Sequence, residues 1–254
     1  MHSTVRKIMD NLTSVAAAGM RSRMQALEIL ANNLANASSR GYKSDREIFT
    51  LYSAADASKP KIAPGQQQPW LRDSWIDFTQ GTLEPTGNQL DLALSGPGFL
   101  NTRGPSGNLY TRNGSLHLSS NGDVLGPEGR AVLDPQNRPI RIDPTQPVTI
   151  TSSGEVKQQG ATVAQLAIVE FPNPSTLVKV GQSYFRPAAT TKPAVAAKET
   201  EVRQGVVESS NAAPSESAVR LISVLRQFEM LQKAITVGSE MNRRAMEEVA
   251  KVNP

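Results

Sequence analysis

The sequence predicts an α+β chain: long N- and C-terminal helices packing as an antiparallel coiled-coil-like pair, with a small all-β domain inserted between them. Two observations carry this. Apolar residues recur at helical spacing at both ends of the chain. The stretch between them breaks into short alternating runs separated by turn residues, about ten residues apart, the pattern of an all-β unit.

Residues 1–41 are expected to form the N-terminal helix. Val5, Ile8, Leu12, Val15, Gly19, Ser22, Ala26, Ile29, Asn33 and Asn36 follow one another in steps of three and four, a heptad seam. A second line, Leu12, Ala16, Met20, Met24, Leu27, Ala31 and Leu34, runs beside it, so this helix calls for neighbours on more than one side. Its end is polar, reading ANNLANASSRGYKSD from Ala31 to Asp45. Asparagine competes with the helix for backbone hydrogen bonds. At a seam position it weakens packing but fixes register, because its amide is satisfied only opposite a matching partner. Asn32 and Asn33 are therefore expected to bond across helices or subunits, whereas Asn36, beside Ser38 and Ser39, is equally suited to ending the helix. Gly41 is placed for a left-handed helix C-cap, with Arg40 at the negative end of the helix dipole.

Residues 42–80 contain KPKIAPGQQQP, which has no helical period and little apolar content, and read as an extended arm or linker. Within its last strand-like run Trp75 is expected to point inward and Asp77 and Thr79 outward. Residues 81–190 hold the β domain, in runs such as LDLAL, GFLNTR, NLYTR, SLHLS, VTI, EVK, AQLAIVEF and SYFRP. Residues 191–213 read as a return linker, low in complexity at their start. Pro214, Ser215 and Glu216 suit a helix N-terminus. Residues 214–254 then carry a seam through Leu221, Val224, Phe228, Leu231, Ile235, Gly238, Asn242, Ala245, Val249 and Val252. With Gly19, Gly238 and three asparagines on the seams, one such helix pair looks unfinished without other subunits.

Composition narrows the function classes. Aromatic residues make up only 5% of the chain while Gly and Pro number 18 and 17, which argues against a compact, aromatic-rich enzyme core. The net charge of +4 comes from scattered basic residues, not the clustered stripe that nucleic acid requires. No apolar run is long enough to insert in a membrane, and the N-terminus lacks the continuous apolar segment of a cleavable signal. Cysteine is absent, which removes thiol chemistry and disulfides. Of the two histidines, His117 in SLHLS reads as a strand surface residue. No phosphate-binding loop occurs, and Asn121, Asp123 and Glu128 lack the spacing of a calcium loop. No catalytic, cofactor-binding or metal-binding site is expected, and no small-molecule substrate.

Four segments, in order, resemble one family. LEILANNLANASSRGYKSD resembles the N-terminal signature of bacterial flagellar axial proteins, the basal-body rod and hook proteins. TQGTLEPTGNQLDLALSGPGFL resembles their lead into the β region, and LYTRNGSLHLSSNGDVLGPEGRAVLD the hairpins that follow. QGVVESSNAAPSESAVRLISVLRQFEMLQKAITVGSEM resembles their C-terminal helix with its preceding Glu-x-Ser-Asn turn. The direct passage through IDFTQGTLEPTGN looks more like the proximal rod members than the hook or distal rod members; AAPSES and QQQPWLRDSW depart from the usual pattern.

The resemblance implies a structural subunit exported by the flagellar type III apparatus without a cleavable signal. Such a subunit polymerises in the periplasm with itself and with other rod and hook proteins. Leu12, Met20, Leu27, Asn32, Asn33, Leu34, Asn36, Val224, Phe228, Leu231, Ile235, Gly238 and Asn242 would then be the subunit-interface residues. The competing readings are a distal rod protein of the same family and a secreted β-domain adhesin or binding module with helical stalks.

Overall fold

The structure, a computed structural model, describes residues 2–51, 69–189 and 191–252. Helix α1 (His2–Ala35) is followed by β1 (Asp45–Leu51), β2 (Pro69–Ile76), β3 (Leu83–Pro85), β4 (Leu92–Ser95), β5 (Phe99–Gly104) and β6 (Gly107–Thr111). Then come β7 (His117–Leu118), β8 (Val124–Leu125), β9 (Val148–Ile150), β10 (Glu155–Gln158), β11 (Ala161–Gln165) and β12 (Ile168–Glu170). The last strands are β13 (Leu177–Val180), β14 (Tyr184–Pro187), β15 (Val195–Ala196), β16 (Glu201–Gln204) and β17 (Val206–Glu208), before helix α2 (Pro214–Val252).

The chain divides into two compact units. One gathers residues 1–34, 45–75 and 214–254, and the other residues 35–44 and 76–213. The first holds most of α1, the hairpin of β1 and β2, and α2.

The second unit is the β body. Its largest sheet has the order β13-β14-β6-β5-β12-β15, beside a three-stranded sheet β11-β10-β9 and the short ladders β16-β4, β17-β3 and β7-β8. Alternation is visible in β9 and β10, whose burial switches residue by residue, whereas β4 and β5 are buried on both faces and read as continuous apolar or small-polar runs. Turn chemistry sets their register. Gln159 and Gly160, both at positive φ, close the β10–β11 hairpin where Gln158 faces Ala161. Two apolar clusters fill the body. One is aliphatic, built on Leu92, Leu94, Leu100, Val132, Ile140 and Val156. The other is aromatic, with Phe78, Phe99, Phe171, Phe185 and Tyr110 meeting edge to face at centroid distances of 4.9 to 5.9 Å.

This corrects the expected architecture of an antiparallel coiled-coil-like helix pair with a small all-β domain inserted in it. The described chain is a mostly β body carrying two helices, and strands run from Asp45 to Glu208. Among the described residues α1 contributes only Ala26 and Leu30 to the buried hydrophobic set, and α2 contributes none. The reason is chemical. Seam positions occupied by Gly19, Ser22, Asn33 and Gly238 offer little apolar area, so among the described residues the helices bury few large side chains completely. The strands, by contrast, enclose two full clusters.

The inward-facing role expected of Trp75 is also overturned. Trp75 is 42% exposed, whereas Asp77, expected outside, is 3% exposed and its carboxylate accepts the backbone N–H of Thr79 at 3.0 Å. A two-stranded hairpin cannot cover both of its faces, and the short Asp turn is better satisfied inside. The expected return linker carries β15, β16 and β17.

Candidate assembly surface and its anchoring junction

On α2 the seam is legible in burial. Leu221, Val224, Phe228, Leu231, Ile235 and Gly238 are half-buried, while most of the residues between them are exposed. A second apolar row, which the sequence reading missed, lies on the same helix: Val219, Ile222, Met230, Val237 and Met241 are between 48% and 68% exposed. Arg226 and Lys233 interrupt it at the intervening helical positions, and for that reason it reads as polar surface. The signal that could have found it is a second stripe at helical spacing, of the kind α1 carries beside its seam. Ion pairs of Glu216 with Arg220, Glu240 with Arg244 and Arg243 with Glu247 lie on the exposed side, where each contributes little.

On α1, Met20, Leu27 and Leu34 are half-buried, Asn32 is exposed and Met24 is half exposed. Gly19 leaves room for Leu231, whose Cδ1 would lie 3.5 Å from a Cβ placed there. Within this unit burial raises the pKa of Glu47 on β1, opposed by the charges of Arg220 and Arg23. The side chains of Leu12 and Asn242 lie outside the described residues.

Asn33 has a different use from the one expected. It is buried, its amide donates to the carbonyl of Asp45 at 2.7 Å, and its Oδ1 accepts the backbone N–H of Asp45 at 2.9 Å. The two bonds clamp the start of β1 to α1. Asn36 accepts from the Ser39 hydroxyl at 3.3 Å, and its carbonyl accepts the Ser39 N–H at 3.0 Å, as a helix-ending residue does. Helix α1 ends at Ala35, so Gly41 belongs to the following turn and not to the helix terminus. It has φ +66°, and a Cβ there would fall 2.4 Å from the backbone nitrogen of Asn113.

Gly41 opens a junction in which four sequence-distant segments of the β body, around Lys43, Thr79, Arg112 and Glu208, are stitched together by backbone and side-chain contacts. The N–H of Gly41 donates to the carbonyl of Glu208 at 2.7 Å, and the N–H of Asp77 to the carbonyl of Ser44 at 2.8 Å. Asn211 accepts the Ser44 N–H at 2.7 Å and donates to the carbonyl of Asp77 at 2.7 Å. At the centre, the Lys43 ammonium donates to Glu208 Oε1 at 2.6 Å and to the Thr79 carbonyl at 2.7 Å. Glu208 Oε1 also accepts the Gly81 N–H at 2.9 Å, and the Arg112 guanidinium lies 3.5 Å from Oε2. These three side chains are at most 2% exposed. Burial pulls Lys43 below its ordinary pKa, and the charge and hydrogen bond of Glu208 oppose that pull. GYK and ESSN are family-like segments in the sequence, but nothing in their local pattern shows that they meet.

Comparison with known proteins gives the same order of segments. Residues 14–43 match a family described as flagella basal body rod protein, residues 93–158 the flagellar hook protein FlgE/F/G D1 domain, and residues 203–248 the flagellar basal body rod FlgEFG protein C-terminal family. The flagellar basal-body rod protein FlgF of Caulobacter vibrioides is 31% identical over 96% of this chain and 100% of its own length. FlgF of Mesorhizobium japonicum is 28% identical over 87% of this chain and 90% of its own. FlgG of Agrobacterium fabrum is 32% identical over 90% of this chain and 95% of its own. The two terminal families stop and start at the junction, taking in Gly41, Lys43 and Glu208. The chain belongs to the bacterial flagellar basal-body rod protein family, and its likeness to FlgF spans the full length of one such relative.

Proposed function

We propose that this rod subunit polymerises through the apolar faces of its terminal helices, with neighbouring copies and other rod or hook proteins covering what one chain leaves open. The observation that carries this is the half-buried stripe of α2 together with its second, exposed row from Val219 to Met241. Five large apolar side chains this exposed along one helix face support an interaction site there. A heterologous contact whose rotation does not close on itself builds a helical polymer. The residues expected at that contact are Met20, Leu27, Leu34, Val224, Phe228, Leu231, Ile235 and Gly238, with Leu12 and Asn242 as further candidates.

The reading extends to a FlgF-like proximal position, with export through the flagellar type III apparatus and a place in the periplasmic shaft between motor and hook. A FlgG-like distal position is the second reading, favoured by the 32% identity to the Agrobacterium protein. Ile235→Asp places a charge in the half-buried apolar stripe. The variant is expected to keep the circular dichroism and hydrogen-exchange protection of the β body and to be missing from purified basal bodies. Normal motility in a strain carrying only this variant would refute the proposal.

A further inference from the structure

The arm formed by β16 and β17 is short and weakly specified by its apolar content. Only Val202 and Val207 in it are buried hydrophobics. β17 pairs with β3 over three positions, Val206 with Pro85, Val207 with Glu84 and Glu208 with Leu83. A slide of two residues preserves which faces point inward, because side chains alternate with period two. It would, however, bring Val206 or Ser210 to the place of Glu208, and neither carries a charge.

Lys43 and Arg112 would then be buried with no carboxylate against them. Among the groups that act on the two cations, Asp77 and Glu170 exert weaker attractions than Glu208. Gln204 adds a second polar constraint on the same arm. Its Oε1 accepts the Ile150 N–H at 3.0 Å, and its amide donates to the carbonyls of Gln89 at 2.8 Å and Val148 at 3.0 Å.

We propose that Glu208 is a positioning residue: a buried charge that selects the register of the last strand and thereby the place where the chain leaves the β body for α2. Buried ion pairs are weak stabilisers, but breaking one is costly, and their best-attested use is to choose one register over another. The distance at stake is about 6.6 Å, two residues at about 3.3 Å each. In a polymer built by repeating one contact, such a displacement moves the helix out of step with its neighbours. That consequence rests on the helix surface proposed above; the choice of register does not.

The test uses the full-length chain. In isotope-labelled protein, cross-strand nuclear Overhauser contacts of residue 207 report its partner, which is Glu84 in the native register and Thr82 or Thr86 after a slide of two. Glu208→Gln is expected to lower the urea midpoint and to produce a second set of β17 signals with contacts to residue 82 or 86. The double variant Lys43→Met with Glu208→Leu removes one buried cation with the carboxylate. It is expected to recover part of the midpoint, since Arg112 stays buried without Glu208, while keeping the second set. A purely stabilising role predicts that register and midpoint recover together. A single native set in either variant overturns the proposal. Slipped register with normal rod assembly overturns its assembly consequence alone, and the Ile235→Asp result then still decides the helix surface.

Discussion

Replacing Gly41 by Ala is expected to destabilise the β body by about 3 kcal/mol. The sum has two parts. The backbone at Gly41 has φ +66°, where an L-residue with a Cβ costs roughly 1–2 kcal/mol. The added methyl would also fall 2.4 Å from the Asn113 nitrogen and 2.5 Å from the Arg112 carbonyl carbon, atoms of the main chain that no rotamer change can move. Overpacking of this kind costs about 1–3 kcal/mol.

Gly87→Ala serves as the internal control. Gly87 has φ +73°, and nothing lies within 4 Å of the point its added methyl would occupy, so only the backbone part applies, about 1 kcal/mol. The difference of about 2 kcal/mol between the two variants isolates the close approach of the Gly41 turn to the chain at Arg112 and Asn113. Urea dependence of hydrogen exchange at the amides of β5 and β6, both in the β body, measures it. Equal destabilisation by the two substitutions would refute the reasoning, since it would mean that the junction yields to an extra carbon without resistance.

Two further outcomes follow from the same geometry. Asn33→Ala removes both bonds to the Asp45 backbone and is expected to cost about 1–3 kcal/mol; it should speed hydrogen exchange at the Asp45 amide while leaving β5 and β6 protected, and unchanged exchange there would count against the clamp. The Lys43 pKa is lowered in the folded chain from 10.5, so between its folded value and 10.5 the unfolded chain binds more protons and stability rises with pH. The wild-type urea midpoint should therefore gain on that of Lys43→Met as the solution is taken from neutral pH to beyond 10.5, and a widening deficit instead would show that the paired ammonium, not its burial, dominates.

What the sequence alone determined is periodic or local. The stripe of α2 from Leu221 to Gly238, the hairpin turns, the strand runs and the polar ending of α1 at Asn36 depend on residues a few positions apart, where spacing and backbone preference decide. The family was legible for the same reason, since its signatures are short and contiguous. Tertiary structure alone decided that most of the core lies in the β body, that Asn33 turns back onto Asp45, that Trp75 faces out while Asp77 faces in, and that β16 and β17 occupy the stretch read as a linker. It also decided that Lys43, Arg112 and Glu208 share one buried site although Lys43 and Glu208 are 165 positions apart. A polar or charged side chain carries no mark of its partner in its own neighbourhood; whether it faces water or satisfies a buried group depends on which distant segment the chain brings against it.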